Sequence, residues 1–86
     1  AEVNTSEFKK AKVLLDSKKW EAAEKLFKKL ATTKTILKEH KYYYLGVSQF
    51  HQKKFEEAQK SFQEALSGQP SSKLKNETQS YLGKMA

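Results

Sequence analysis

Apolar residues recur along the chain at helical spacing, in stretches parted by short polar breaks. Phe8, Ala11, Leu14 and Leu15 make one stripe, and Asn4-Thr5-Ser6-Glu7 ahead of it predicts a helix start. Asn4 is the expected cap, with Glu7 closing a capping box. After the break Asp16-Ser17-Lys18-Lys19, a second stripe runs through Trp20, Ala23, Leu26, Phe27 and Leu30. So short a turn makes the two helices antiparallel.

Ala31-Thr32-Thr33-Lys34-Thr35 is a polar connection, and a third helix is predicted from near Ile36 to about Gln52. Its landmark is Tyr42-Tyr43-Tyr44-Leu45-Gly46. A mid-helix Gly costs about 1 kcal/mol against Ala, so Gly46 predicts close approach of a neighbouring helix. Phe55, Ala58, Phe62, Ala65 and Leu66 mark a fourth helix, closed by Gly68 with Pro70 beyond it. Ser71 or Ser72 is expected to cap a fifth helix reaching about Lys84. Leu74, Thr78, Tyr81, Leu82 and Met85 lie along one side of it, as a lid over the fourth.

One stretch occurs twice. Lys18-Lys19-Trp20-Glu21-Ala22-Ala23-Glu24-Lys25-Leu26-Phe27 returns 35 residues later as Lys53-Lys54-Phe55-Glu56-Glu57-Ala58-Gln59-Lys60-Ser61-Phe62, identical at six of ten positions. A period in the mid-thirties in a helical chain signals a stacked array.

These residues resemble the tetratricopeptide repeat, a helix–turn–helix unit. Tyr42-x2-Leu45-Gly46-x2-Gln49, then Ala58-x3-Phe62-x2-Ala65-x4-Pro70, follow the family spacing, with Gln49 in place of the usual Tyr. The first unit matches through Trp20, Ala23 and Phe27 and departs at Glu7, Lys10, Ala11 and Leu30. The pairs Lys18-Lys19 and Lys53-Lys54 replace the Gly-containing turn usual in the family. The resemblance implies an all-α, right-handed stack of five antiparallel helices in one domain. Repeat 1 covers about 4–35, repeat 2 about 36–70, and a capping helix about 71–86. Tyr43-Tyr44-Leu45-Gly46, Pro70-x-Ser72-Lys73 and Tyr81-Leu82-Gly83 are similar to bacterial envelope members of the family, which implies the periplasm or envelope, with the cytoplasm as the alternative.

Composition adds limits. Eighty-six residues suit one small domain. The ten aromatics and spaced apolar positions can build a core, and the 31% of charged residues are spread as solvated helix faces. All seventeen basic residues are Lys, giving a net charge of +7 shared evenly between the halves. Lys lacks the planar fork that Arg brings to base and phosphate recognition, so sequence-specific nucleic-acid binding is not expected. Salt-sensitive attraction to polyanions is. The absence of Cys removes disulfides, thiolate nucleophiles and thiolate metal sites, and fits either redox compartment. No apolar run approaches the roughly 20 residues that span a bilayer. A chain that starts at Ala1 rather than Met is expected to be processed, trimmed or cut from something longer.

An enzyme finds little support. His40 and His51 are eleven residues apart, roughly 16 Å along a helix, too far to share a metal. There is no Gly-rich phosphate loop. Glu21, Glu56 and Glu57 fall where solvated charge is expected. No cofactor and no metal is implied.

Function is therefore expected on a surface. The family resemblance implies that the first helix of each repeat lines a concave groove that takes a peptide or helix of another protein. Core positions of the third helix are then Tyr42, Leu45, Gly46 and Gln49, with His40, Tyr43, Val47, Phe50 and His51 toward the groove. The partner-binding set is Phe8, Lys12, Leu15, Tyr43, Val47 and Phe50, with Tyr81, Glu77 and Lys84 closing its end. The expected partner segment is apolar or weakly acidic. Chaperone-binding members hold a C-terminal carboxylate with Asn after the helix glycine. Val47 follows Gly46 here, so that clamp is not expected. The alternative function is that of a self-associating structural module or a fragment of a longer array of such repeats in an assembly complex, because short arrays bury little and stability normally needs about three repeats.

Overall fold

Two near-identical turns organise the chain. The computed structural model describes residues 2–32 and 38–85, with side chains from 7 to 32 and from 39 to 85. All its elements are helices: α1 (Glu2–Asp16), α2 (Trp20–Ala31), α3 (Lys38–His51), α4 (Phe55–Ser67) and α5 (Ser72–Met85). At the end of α1, Lys18 N–H donates to the Leu15 carbonyl at 3.0 Å and Lys19 N–H to Leu14 at 2.9 Å. At the end of α3, Lys53 N–H donates to Phe50 at 2.9 Å and Lys54 N–H to Gln49 at 3.0 Å. This Schellman pattern satisfies carbonyls that the helix end leaves unpaired, and it requires a left-handed residue. Lys18 (φ 63°) and Lys53 (φ 65°) fill that place without being glycine. The Lys19 and Lys54 carbonyls then accept from Ala23 and Ala58, both at 2.9 Å, so the next helix begins at once.

The stripes pack as the spacing predicts. Ala11, Leu15, Ala23, Phe27, Leu30, Leu45, Ala58, Phe62, Ala65 and Leu74 form the buried core, and Phe8, Leu14, Trp20, Leu26 and Tyr42 pack half-buried against it. Burying Phe27 and Phe62 completely contributes about 2–3 kcal/mol each before entropy is counted. Consecutive helices pack on one another from α1 through α5. Aromatic rings tie α1 to α3 and α3 to α5: Phe8 meets Tyr44 edge-on at 5.7 Å, and Tyr43 meets Tyr81 at 6.1 Å. On α4, Phe62 stacks on Tyr81 at 5.1 Å, which seats α5 over α4. The fold is an all-α helical repeat.

Several expectations are corrected. Asn4 lies inside α1, which already runs from Glu2, so it is not the cap. Gly68 closes α4, yet its φ is −86°, and the left-handed residue is Gln69 (φ 59°). Phe55 is 45% exposed rather than core: it opens α4 directly after the turn. Ser71 caps α5: its hydroxyl oxygen accepts from Leu74 N–H at 3.4 Å and its carbonyl from Lys75 N–H at 2.8 Å. The expected start of the third helix at Ile36 and most of the Ala31–Thr35 connection lie outside the described residues.

Candidate functional site

The seven candidate residues fall into two groups. Leu15, Tyr43 and Val47 are buried, at 8%, 8% and 6% exposure. Their side chains are filled by intramolecular packing. Phe8, Phe50 and Tyr81 are half-buried, and Lys12 is exposed. The structure joins most of them in one chain of ring contacts across α1, α3 and α5. Phe8 touches Tyr44, and Tyr44 touches Tyr43 at 5.1 Å. Tyr43 touches Tyr81, which meets Phe50 edge-on at 5.1 Å. Leu15 and Val47 stand apart from this ladder, in the core.

Lysines flank the ladder. Lys12 Nζ lies 5.9 Å from the Phe8 ring centre and 5.3 Å from that of Tyr44, and Lys84 Nζ lies 5.2 Å from Tyr81. Cations at that range are attracted by ring quadrupoles, and both lysines are exposed. Tyr43 donates its hydroxyl to Glu77 Oε2 at 3.2 Å. Burial pushes the Tyr43 phenol up, and the Glu77 carboxylate adds to the shift, so the phenol stays a donor. Tyr81 is raised for the same reasons.

Beyond Phe50 the ladder turns to the edge of the molecule. His51 lies flat on Trp20, with ring centres 4.0 Å apart at 12°. Burial lowers the His51 pKa, and the Lys84 charge lowers it further. Phe55 meets Phe50 at 5.7 Å.

Sequence reasoning missed the main polar feature. Glu24, on α2, is 3% exposed and sits at a junction of α2, α3 and the α3–α4 turn. It accepts from Gln49 Nε2 (3.2 Å), Gln52 Nε2 (2.8 Å) and Lys54 Nζ (2.9 Å), and Lys28 Nζ stands 3.3 Å away. Ser61 on α4 donates to Gln49 Oε1 at 2.6 Å. Burial pushes the Glu24 carboxyl up, and these four donors together outweigh it, bringing the pKa down to about 2. Lys54 is correspondingly raised by its bond to Glu24. Two signals pointed here: Gln49 stands where the family has Tyr, and Glu24 pairs with Gln59 in the repeated decapeptide. Gln59 is exposed, while Glu24 is roofed by the next hairpin. The network links helices and shows no reacting geometry.

Glu21, Glu56 and Glu57 are exposed. Among the described residues, no group of three or more His, Cys, Asp or Glu is placed to hold a metal ion. None of their helices is long and apolar enough to cross a membrane.

Residues 40–70 match the family model of the tetratricopeptide repeat. These residues include α4 and most of α3, with Gly46, Phe62 and Pro70. The match is to the repeat in general and carries no compartment. No curated protein and no solved structure is significantly similar to the chain.

Proposed function

Because the chain is a tetratricopeptide-repeat protein, of a family that generally mediates protein–protein interaction or scaffolding and is generally non-catalytic, we propose that its α1–α3–α5 face binds a peptide or helix of a partner protein. The observation that carries this reading is the ladder of half-buried rings Phe8, Tyr44, Tyr81 and Phe50 with Lys12 and Lys84 at its margins. Rigid aromatic rings supply large contact area at low entropic cost, and an apolar partner residue seated between them is desolvated. The marginal lysines favour a segment that is apolar or weakly acidic. Residues 4–35 and 36–70 act as two repeats on this reading, with 71–86 as a cap, and no chemistry or cofactor is involved. Leu15, Tyr43 and Val47 support the face from beneath, and the contacting residues are Phe8, Lys12, Phe50 and Tyr81.

The test is affinity capture from extract of the source cell, comparing the chain with a Phe50→Ala, Lys12→Glu double variant. The expected result is a protein retained by the first and lost by the second at unchanged helicity. Equal retention places the contact elsewhere and overturns the reading. Tyr43→Ala is unsuitable, because a buried ring is lost and stability falls with it.

A further inference from the structure

The lysines of the first hairpin gather where no acid is exposed. From Phe8 to Leu15 and from Ala22 to Thr32, every exposed charged residue is a lysine: Lys9, Lys10, Lys12, Lys25, Lys28 and Lys29. Glu24, the one acid in those stretches, is 3% exposed and bonded to Gln49, Gln52 and Lys54. Asp16 and Glu21 are exposed, and they flank the turn at the other end of the hairpin. The matching stretches of the second hairpin, 43–50 and 57–67, carry Lys60 alone against Glu57 and Glu64. Charge that is even along the chain is thus uneven on the surface.

Four of the six lysines share the outer side of α1 and α2. At about 3.6 residues per turn, Val13 points away from the buried Ala11 and Leu15, and it is 61% exposed. Lys9 and Lys10 lie one turn before it on that side. The ion pair of Lys29 with Glu7, at 3.6 Å, sets the outer row of α2 beside the start of α1, and Lys25 lies one turn from Lys29 in that row. Leu14 and Leu26, both half-buried, add aliphatic surface. Lys12 belongs instead with the rings of Phe8 and Tyr44.

We infer that this outer side of the first hairpin docks on an anionic lipid bilayer, with Val13 entering the headgroup layer and Lys9, Lys10, Lys25 and Lys29 meeting lipid phosphates. Clusters of four to eight basic residues on an amphipathic helix suit such a surface, because its charge is spread and asks for no fixed geometry. Lysine, a point charge on a flexible stem, meets that demand. An aliphatic side chain among the lysines gains by entering the boundary between headgroups and acyl chains. Nucleic acid is the less fitting polyanion, since single strands are held by aromatic stacking and this side offers Val13, Leu14 and Leu26. The inference is independent of the ring ladder and of any partner held there.

The experiment is co-sedimentation of the full chain with vesicles of phosphatidylcholine alone, and of phosphatidylcholine and phosphatidylglycerol in equal parts. Binding is expected to the anionic vesicles only, and to weaken as salt is raised. Lys9→Gln with Lys10→Gln is expected to weaken it about thirty-fold, at roughly five-fold for each lysine at the surface. Lys73→Gln with Lys75→Gln removes the same charge from α5 and is expected to leave vesicle binding near that of the native chain. Val13→Ser keeps the charge and is expected to weaken vesicle binding about four-fold, the effect of roughly one buried methyl group, without changing binding to a single-stranded oligonucleotide. All four positions changed on the two helices are exposed, and an unchanged circular-dichroism melt checks that the fold is kept. Equal binding to both kinds of vesicle, or equal losses in the two double variants, overturns the docking surface. Vesicle binding indifferent to Val13→Ser, with oligonucleotide binding lost in the Lys9→Gln, Lys10→Gln variant, overturns it in favour of nucleic acid.

Discussion

The ring of Phe62 on α4 occupies the space a side chain at position 46 of α3 would need. A Cβ built on Gly46 would stand 2.7 Å from Phe62 Cε1, 2.8 Å from Cδ1 and 2.9 Å from Cζ. Phe62 is itself fully buried, so the ring has nowhere to move. The helix penalty of Gly46 is thus accepted in exchange for close packing of α3 against Phe62 of α4.

Gly46→Ala should therefore destabilise the protein although Ala is the better helix former. Overpacking of this kind costs typically 1–3 kcal/mol, against about 1 kcal/mol gained in helix propensity. A net loss near 1 kcal/mol lowers the melting temperature by about 4–8 °C in a domain of this size. Gly83→Ala is the control: a Cβ there meets nothing within 4 Å, and thermal unfolding should show a rise.

Glu24 makes stability depend on pH. Its folded pKa of about 2 lies below the ordinary value of 4.5, so the folded state binds its proton more weakly than the unfolded state does. The contribution is complete above the unfolded pKa and is lost as pH falls through the folded one. It amounts to about 3 kcal/mol by linkage. Urea unfolding at neutral pH and near pH 2 should show this loss in the native chain and a smaller one in Glu24→Gln, which has already lost it at neutral pH. Equal acid sensitivity in both proteins would remove Glu24 as the cause.

The left-handed turns predict a gain. Lys18 and Lys53 hold φ values of 63° and 65°, where a Cβ crowds the following carbonyl at a cost of about 1–2 kcal/mol. Lys53→Gly relieves this, less the extra freedom glycine brings to the unfolded chain, and should stabilise by about 0.5–1 kcal/mol. Lys18→Gly should behave alike, and the two should add, because they sit in separate turns. Denaturant midpoints of the two single variants and the double one decide it.

Trp20 is the only tryptophan in the chain, and it carries His51 against its ring. Its fluorescence should report His51 protonation, with a midpoint below the ordinary histidine value of 6.5. Burial, the larger cause, and the charge of Lys84 both disfavour the imidazolium. Lys84→Ala should move the midpoint upward without abolishing it. A midpoint unmoved by that change would remove Lys84 as a cause.

Much of this protein is legible before any coordinates. The stripes from Phe8 to Leu15, Trp20 to Leu30 and Phe55 to Leu66 identify their helices, because the apolar period of a helix is a local property. The break at Lys18-Lys19 and its echo at Lys53-Lys54 place both hairpin turns for the same reason. Gly46 announces a close neighbour by its cost alone. The errors occur where a residue's state depends on what lies beyond its own helix. Phe55 belongs to an apolar stripe and is still 45% exposed, since it is the first residue of α4 and its ring meets Phe50 of α3. Tyr43 and Val47 belong to the groove-side register of α3 and are nonetheless buried: α5 lays Tyr81 across Tyr43.

The amino-acid sequence by itself determined the all-α repeat, the turns and most of the core, since each follows from spacing within some ten residues. The tertiary structure decided the rest. Glu24 and Gln59 occupy equivalent places in a shared decapeptide, yet only Glu24 is covered by a following hairpin that supplies Gln49, Gln52 and Lys54. Burial and charge are set by neighbours distant in the chain, so equivalent positions of two related stretches become a structural hub in one copy and a solvated side chain in the other.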